Sequence, residues 1–487
     1  MSPQRIIMEK RSVILSLIYK FTERFAVKGL GLVISIILAR LLGPNAFGQV
    51  ALLTVFANLS MTFIESGLNT ALVQSREADD RDYSTVFYIT LALTAVIIVI
   101  WQISAPAMAG FYDSPEMVAP LRFYAFSLIL SAFNSIQTAR MQREMRFKEM
   151  MYCNLCATVL SGVVGVIMAY MGFGLWALVI YFFAQIAMSS VAMFFVLRWL
   201  PHSRFSMDSA RRLYSFGIKM LAAGIITTLY NDIRPLIIGR KFSTTALGYY
   251  ERGLRFSSTI SLNLDAAVQS VMFPVLSRVQ DDKAQFAAIV GKTKTLGAFI
   301  IFPAMLGMAA VAEPMVKLLL GEDWLPCIIF VQLLCIGEAQ VPITTTNLLA
   351  VKSLGRSDIY AKQEVLRRVL MLIVLAISVF CFNSVEAIAV GFVISAWIDA
   401  AVTTLPLRKL LDSSIYEQFI SLWKVCLAAL IMAAAVWAMN ILSMPLLPKL
   451  LLQIAVGVAI YSAVCLILKV DSLQYVLSIL RKRKKEN

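Results

Sequence analysis

About fourteen apolar stretches of bilayer-spanning length fill this chain almost end to end, and its basic residues collect in every second connection between them. A hydrocarbon slab ~30 Å thick takes ~20 apolar residues as a helix, because every backbone polar group must be bonded within the segment. The chain is 59% hydrophobic, against roughly 45–50% in soluble domains. Hydropathy places spans near 12–42, 45–74, 83–106, 118–140, 150–171, 174–198, 211–239, 248–276, 285–319, 328–351, 360–382, 385–407, 416–442 and 447–469. An all-α polytopic membrane protein is expected, with no room for a soluble catalytic domain.

The charges orient it. Arg5, Lys10 and Arg11 precede the first span; Arg140, Arg143, Arg146 and Lys148 follow the fourth. Arg198, Arg204, Arg211 and Arg212 follow the sixth, and a run from Arg481 to Lys485 closes the tail. The connections Met171–Gly174 and Asn383–Glu386 carry no Lys or Arg, and Gly321–Pro326 is acidic. Basic loops stay inside, so both termini are expected to be cytoplasmic. Arg240 and Lys241 stand against the pattern. The net charge of +15 is dispersed over connections without aromatic interleaving, which speaks against a nucleic-acid partner. Cys153 and Cys156 form a C-x-x-C within the fifth span, and with His202 the sole histidine they read as small apolar helix residues.

An internal repeat runs at an offset of two hundred residues. Arg40 is followed by Gly48 through Leu41-Leu42-Gly43-Pro44-Asn45-Ala46-Phe47, and Arg240 by Gly248 at the same spacing. Asn58, Thr62, Glu65 and Asn69 share one helical face in the second span, and Ser258, Leu262, Asp265 and Gln269 take the same offsets in the eighth. Two six-span halves in parallel repeat follow, at 1–204 and 205–410. Two further spans at 411–470 and a basic tail at 471–487 complete the chain. An even span count keeps both halves in one orientation, as in transporters that alternate access.

Several charges sit where lipid tails would reject them. Lys20, Arg24 and Lys28 lie on one face of the first span beside Glu23. The seventh holds Lys219, Asn231, Asp232 and Arg234, and the eighth Glu251 and Arg255. Each such charge facing lipid costs ~2.5–3.5 kcal/mol on insertion scales. Near span ends, salt bridging or snorkelling accounts for them. For Arg24, Lys28, Glu65, Lys219 and Asp265, deeper in, a wet or protein-lined cavity is favoured. Excess positive charge points to an anionic cargo, a phosphate or diphosphate, with Arg24, Lys28, Asn58, Asn69, Lys219, Asn231, Arg234 and Arg255 as its candidate ligands. Glu65, Asp232 and Asp265 either balance charge or take a coupling Na+ or H+. No cofactor is implied: Gly291-Lys292-Thr293 has Phe286 where a phosphate-binding loop needs glycine.

Ile36 to Pro44 with Phe47-Gly48, Gly172 to Val179, and Ile237-Ile238-Gly239-Arg240 through Leu247-Gly248-Tyr249-Tyr250 together resemble signatures of bacterial polysaccharide exporters. These belong to the multidrug/oligosaccharidyl-lipid/polysaccharide exporter superfamily. The resemblance is closest to Wzx-type lipid-linked oligosaccharide flippases, including the colanic-acid exporter branch, and covers roughly residues 10–410. It implies two pseudo-symmetric six-helix lobes forming a V in the bacterial cytoplasmic (inner) membrane. The cargo it implies is an undecaprenyl-diphosphate-linked oligosaccharide, carried through a cationic cavity. Membrane lipids, a polysaccharide polymerase and chain-length proteins are the partners it suggests. Glu251-Arg252-Gly253 departs from the Asn-Arg-Ala common in relatives. Two rivals remain: a cation-coupled multidrug or small-solute antiporter on the same scaffold, and a membrane polymerase. The first would bind through acidic and aromatic groups, and the second needs a large outer loop, absent from the expected connections.

Overall fold

In the computed structural model, residues 3–65, 67–74, 79–411 and 420–474 are described, with side chains throughout except at 3–25, 70, 73–74, 214–216, 219, 267 and 409. The side chains of Lys20, Glu23, Arg24 and Lys219, and the basic residues at both chain ends, therefore lie outside the described residues.

The described chain is helical and contains no strand. Its first part runs α1 (Pro3–Glu65), α2 (Leu68–Gln74), α3 (Asp80–Phe111), α4 (Val118–Ala125), α5 (Ser127–Arg143), α6 (Phe147–Tyr170), α7 (Leu175–Leu197) and α8 (Met207–Lys241). There follow α9 (Thr244–Arg278), α10 (Lys283–Ala310), α11 (Ala312–Leu319), α12 (Cys327–Glu338), α13 (Val341–Ser353), α14 (Ser357–Cys381), α15 (Val385–Leu410), α16 (Trp423–Ala438) and α17 (Leu446–Ile467). Among the described residues, eleven helical stretches are long and apolar enough to cross a membrane. Counting kinked α1 as two legs and adding α8 and α14, whose charges lower their hydropathy, recovers the fourteen passes expected. Large apolar side chains such as Ile103, Phe195, Phe380 and Ile441 stand open on the surface, 69–87% exposed. In water that surface would aggregate; against lipid tails it is the correct face.

Local chemistry sets the helix ends. Asp79 and Asp82 form a reciprocal capping box at the start of α3, while Ser206, Asp282 and Ser384 cap α8, α10 and α15. Gly43, at φ 71° and ψ 175°, breaks α1 into its two legs, a conformation that disfavours any side chain. Cys153 packs with Met141, Phe147, Met150 and Met193, as expected of an apolar helix residue. Helices approach closely at small residues, with Gly162 against Ile34 and Gly165 against Tyr181.

The chain divides into two compact units, Met1–Gly248 and Tyr249–Asn487. In the first, α1 packs on α5, α6, α7 and α8, so α8 belongs by packing with the six spans before it. In the second, α10 packs on α12, α13 and α16, and α15 on α12 and α14. There Arg252, at the departure from the family pattern, is buried with its guanidinium over Trp324, 5.3 Å from the ring centre.

The repeat has a physical counterpart inside the first unit. A Cβ on Gly48 would lie 1.6 Å from the carbonyl oxygen of Thr244, and one on Gly248 would lie 2.0 Å from that of Pro44. Pro44 and Thr244 are themselves repeat-equivalent, so the two contacts are one contact and its symmetry mate. Arg240, the charge that stands against the loop pattern, is bonded within the same unit. Its guanidinium donates to Asp113 at 2.9 Å and to the Phe111 carbonyl at 2.7 Å, and lies over the Phe111 ring. A cation satisfied in this way is tolerated at the end of a spanning helix.

Candidate functional site

The first unit holds two adjoining open chambers with polar walls. The larger, about 600 Å³, lies among both legs of α1, α2, α5, α6 and α7. Its wall carries five side-chain amides (Asn69, Asn134, Gln142, Asn154, Gln185), five hydroxyls and the carboxylate of Glu65. Among the described residues, no Lys, Arg or aromatic side chain lines it. Mid-span amides are costly against lipid, so they converge where they can bond one another or water. Asn134 Nδ2 donates to Ser189 Oγ at 3.0 Å, and that hydroxyl donates to Asn154 Oδ1 at 2.9 Å. Thr138 donates to Asn134 Oδ1 at 3.3 Å. The network thus ties α5, α6 and α7 together. Oδ1 of Asn69 is buried and accepts from no described group.

The smaller chamber, about 280 Å³, shares Met61 and Glu65 with the larger and adds Asn58, Thr62, Thr228, Asn231 and Asp232. Asn58 Nδ2 donates to Asp232 at 3.5 Å, and the hydroxyls of Thr62 and Thr228 bond at 2.9 Å. Of the residues expected at a site, Asn58, Glu65, Asn69, Asn231 and Asp232 are thus brought together. Lys28 is exposed on α1, one position beyond Val27 of the larger chamber's wall, and Arg234 is half-buried on α8.

Arg255 and Asp265 fall in the second unit, where Arg255 is exposed. Asp265 accepts from Thr345 and, at 2.9 Å, from Gln269. Repeat-equivalent carboxylates therefore have different surroundings: Glu65 faces a chamber, while Asp265 is engaged by a hydroxyl and an amide. The second unit also holds a charged network that the sequence reading did not single out. Arg367 of α14 makes a two-pronged bond to Asp399 of α15 and donates to Glu364 at 2.9 Å, which Arg368 also reaches at 3.2 Å. The chamber amides Asn134, Gln142, Asn154 and Gln185 were missed as well. For Asn134, Asn154 and Gln185 the signal was an amide within a largely apolar span, weaker than a charge and with no repeat partner to draw attention; Gln142 sits among the charges that end α5.

A polytopic helical protein with polar chambers among its spanning helices has the architecture that transporters share. The chain belongs to the polysaccharide biosynthesis protein family, whose model matches residues 37–329. It is 25% identical to the succinoglycan biosynthesis transport protein ExoT of Rhizobium meliloti (strain 1021), over 94% of this chain and 93% of that protein. It is 23% identical to the lipopolysaccharide biosynthesis protein WzxC of Escherichia coli (strain K12), over 81% of each chain. The teichuronic acid biosynthesis protein TuaB of Bacillus subtilis (strain 168) is 24% identical over 63% of each. Among solved structures, lipid II flippase MurJ in an inward closed conformation shares the fold with a TM-score of 0.75. That likeness has 13% identity and covers 95% of this chain and all of MurJ. An inward-facing multidrug transporter of the MATE family is similar at a TM-score of 0.58 and 14% identity, over 82% of this chain and 99% of its own.

Proposed function

We propose that the protein is a flippase for lipid-linked oligosaccharides, moving undecaprenyl-diphosphate-linked repeat units outward across the bacterial inner membrane for surface polysaccharide synthesis. The family match carries this reading, and the polar chamber within the spanning bundle supports it. In this reading both termini are cytoplasmic, and the two halves, 1–204 and 205–410, alternate access to the two faces. The diphosphate is drawn by the cations of the first and seventh spans, Arg24, Lys28, Lys219 and Arg234, with Asn58, Asn231 and Arg255 as further contacts. Glu65, Asp232 and Asp265 are the groups available to a coupling Na+ or H+, and no organic cofactor enters. A polymerase and chain-length proteins would consume the exported unit. A multidrug antiporter shares the fold, but a chamber walled by amides and hydroxyls favours a polyhydroxylated cargo over an aromatic cation.

The test is deletion of the gene and complementation. Deletion should abolish surface polysaccharide and raise the lipid-linked pool in the inner leaflet. Arg24→Ala and Lys28→Ala should insert at normal abundance but restore little polymer. An unchanged lipid-linked pool and unchanged polymer after deletion would refute the reading.

A further inference from the structure

The larger chamber differs from the site that a diphosphate requires. Anionic phosphate is held by guanidinium, ammonium or clustered backbone N–H groups. This wall instead offers five amides, five hydroxyls and one carboxylate. A carboxylate repels phosphate but accepts well from a hydroxyl. Each amide presents two donors and one acceptor, and each hydroxyl donates and accepts. That is the complement of neighbouring hydroxyls on a sugar ring, which must trade every water bond for an equivalent one. The volume of about 600 Å³ falls within the ~300–1,000 Å³ of small-molecule sites.

Position adds to chemistry. Gln142 is the penultimate residue of α5, and Ser131 lies eleven residues earlier on the same helix, so the chamber reaches roughly 16 Å inward at 1.5 Å per residue. The α5–α6 connection, two residues beyond Gln142, carries Arg146 and is flanked by Arg143 and Lys148, the kind of loop retained on the cytoplasmic side. Lys28 stands next to the wall residue Val27 on α1. One molecule can therefore place a charged group at α1 and an uncharged polar group inside the bundle.

We infer that this chamber is a saccharide subsite within the first half of the protein, taking neutral sugar rings of the cargo while the diphosphate stays outside it near α1. Gln185 and Asn69 are its principal free contacts, since Asn134, Ser189 and Asn154 already bond one another. The buried Oδ1 of Asn69, with no donor among the described residues, would accept from a sugar hydroxyl. The inference rests on the flippase reading and makes it specific: sugar recognition belongs to one bundle and charge recognition to another face of it.

The experiment is isothermal titration calorimetry on the full chain in lipid nanodiscs free of maltoside detergent. One probe is lipid-free repeat-unit oligosaccharide, released by mild acid from the lipid-linked pool of the source cells; the other is inorganic diphosphate. Gln185→Leu and Asn69→Leu should each weaken oligosaccharide binding about 2- to 10-fold and leave diphosphate unchanged. Lys28→Ala should do the reverse. Gln185→Met, which keeps the side-chain volume, guards against simple misfolding and should match Gln185→Leu. Wild-type oligosaccharide binding in folded Gln185→Met and Asn69→Leu would overturn the inference, as would saturable Na+ binding at Glu65 that excludes the sugar. In either case deletion and complementation still judge the flippase reading separately.

Discussion

Replacing Gly48 with alanine should loosen the first unit, and the structure sets the size of the effect. The added Cβ meets the Thr244 carbonyl oxygen at 1.6 Å, where ordinary contact is 3.4–4 Å. The obstacle is backbone, so no rotamer change relieves it, and the backbones at Gly48 and Thr244 must part by about 2 Å. Overpacking of this kind costs about 1–3 kcal/mol, and a backbone-limited case belongs at the upper end. For a unit of this size that is a fall of about 6–12 °C in melting temperature, read by thermal unfolding in detergent. Gly248→Ala should act alike, through Pro44, at 2.0 Å. Because both substitutions open the same crossing, the second should add little to the first, giving a coupling of about 0.5–3 kcal/mol. Gly29→Ala and Gly31→Ala are internal controls: open space surrounds both, and alanine should favour the helix by about 0.5–1 kcal/mol. Melting of Gly48→Ala and Gly248→Ala within a degree or two of wild type, or strict additivity in the double variant, would refute the idea of one reciprocal joint.

Other expectations follow from the ion pairs. Arg212 holds the fully buried Asp82 with Nη2 at 2.6 and 2.7 Å. Arg212→Ala should destabilise by about 2–3 kcal/mol, the lower range for a broken pair because the guanidinium is more than half exposed. Asp82→Asn in the same background should recover part of the melting temperature, and failure to recover any would deny that a stranded carboxylate is the cause. Arg367→Met should be the more damaging change, about 3–5 kcal/mol, since Arg367 and Asp399 are both largely removed from solvent. Pairing it with Asp399→Leu should restore most of the loss; a double variant as unstable as the single one would show that Arg367 acts mainly through Glu364.

Much of this fold is legible in one sequence because the bilayer imposes a length and forbids unbonded backbone. Spans seven and eleven, α8 and α14, were readable despite their charges, since they fall at regular positions between basic connections. The charge rule alone left Arg240 as an exception. That Asp113 and the end of α3 stand bonded to its guanidinium is a tertiary fact with no local trace. The repeat likewise exposed the equivalence of Gly48 and Gly248, but gave it the meaning of a helix start. That Gly48 admits the Thr244 carbonyl and Gly248 that of Pro44 is visible only where the two repeat segments meet.

The candidate site was legible in part, and the physical reason lies in how strongly each residue type resists lipid. Charges stand out against an apolar run, so Lys28, Glu65 and Asp232 drew notice. Amides resist more weakly, and Asn134, Asn154 and Gln185 sit on three helices whose convergence no spacing reveals. The family motifs do not compensate for this. Gly43 makes the break in α1, Gly48 and Gly248 form the crossing, and the Gly172–Gly174 turn leads into α7. All of them are joints. They identify the scaffold because a joint tolerates few residues, and for the same reason they say little about cargo, which a scaffold accommodates by changing the walls between its joints. A relative with another sugar should therefore keep these glycines and differ at the amides. Exchange of Asn69 and Gln185 for a relative's residues should shift oligosaccharide preference without shifting stability, whereas exchange at Gly48 should do the opposite.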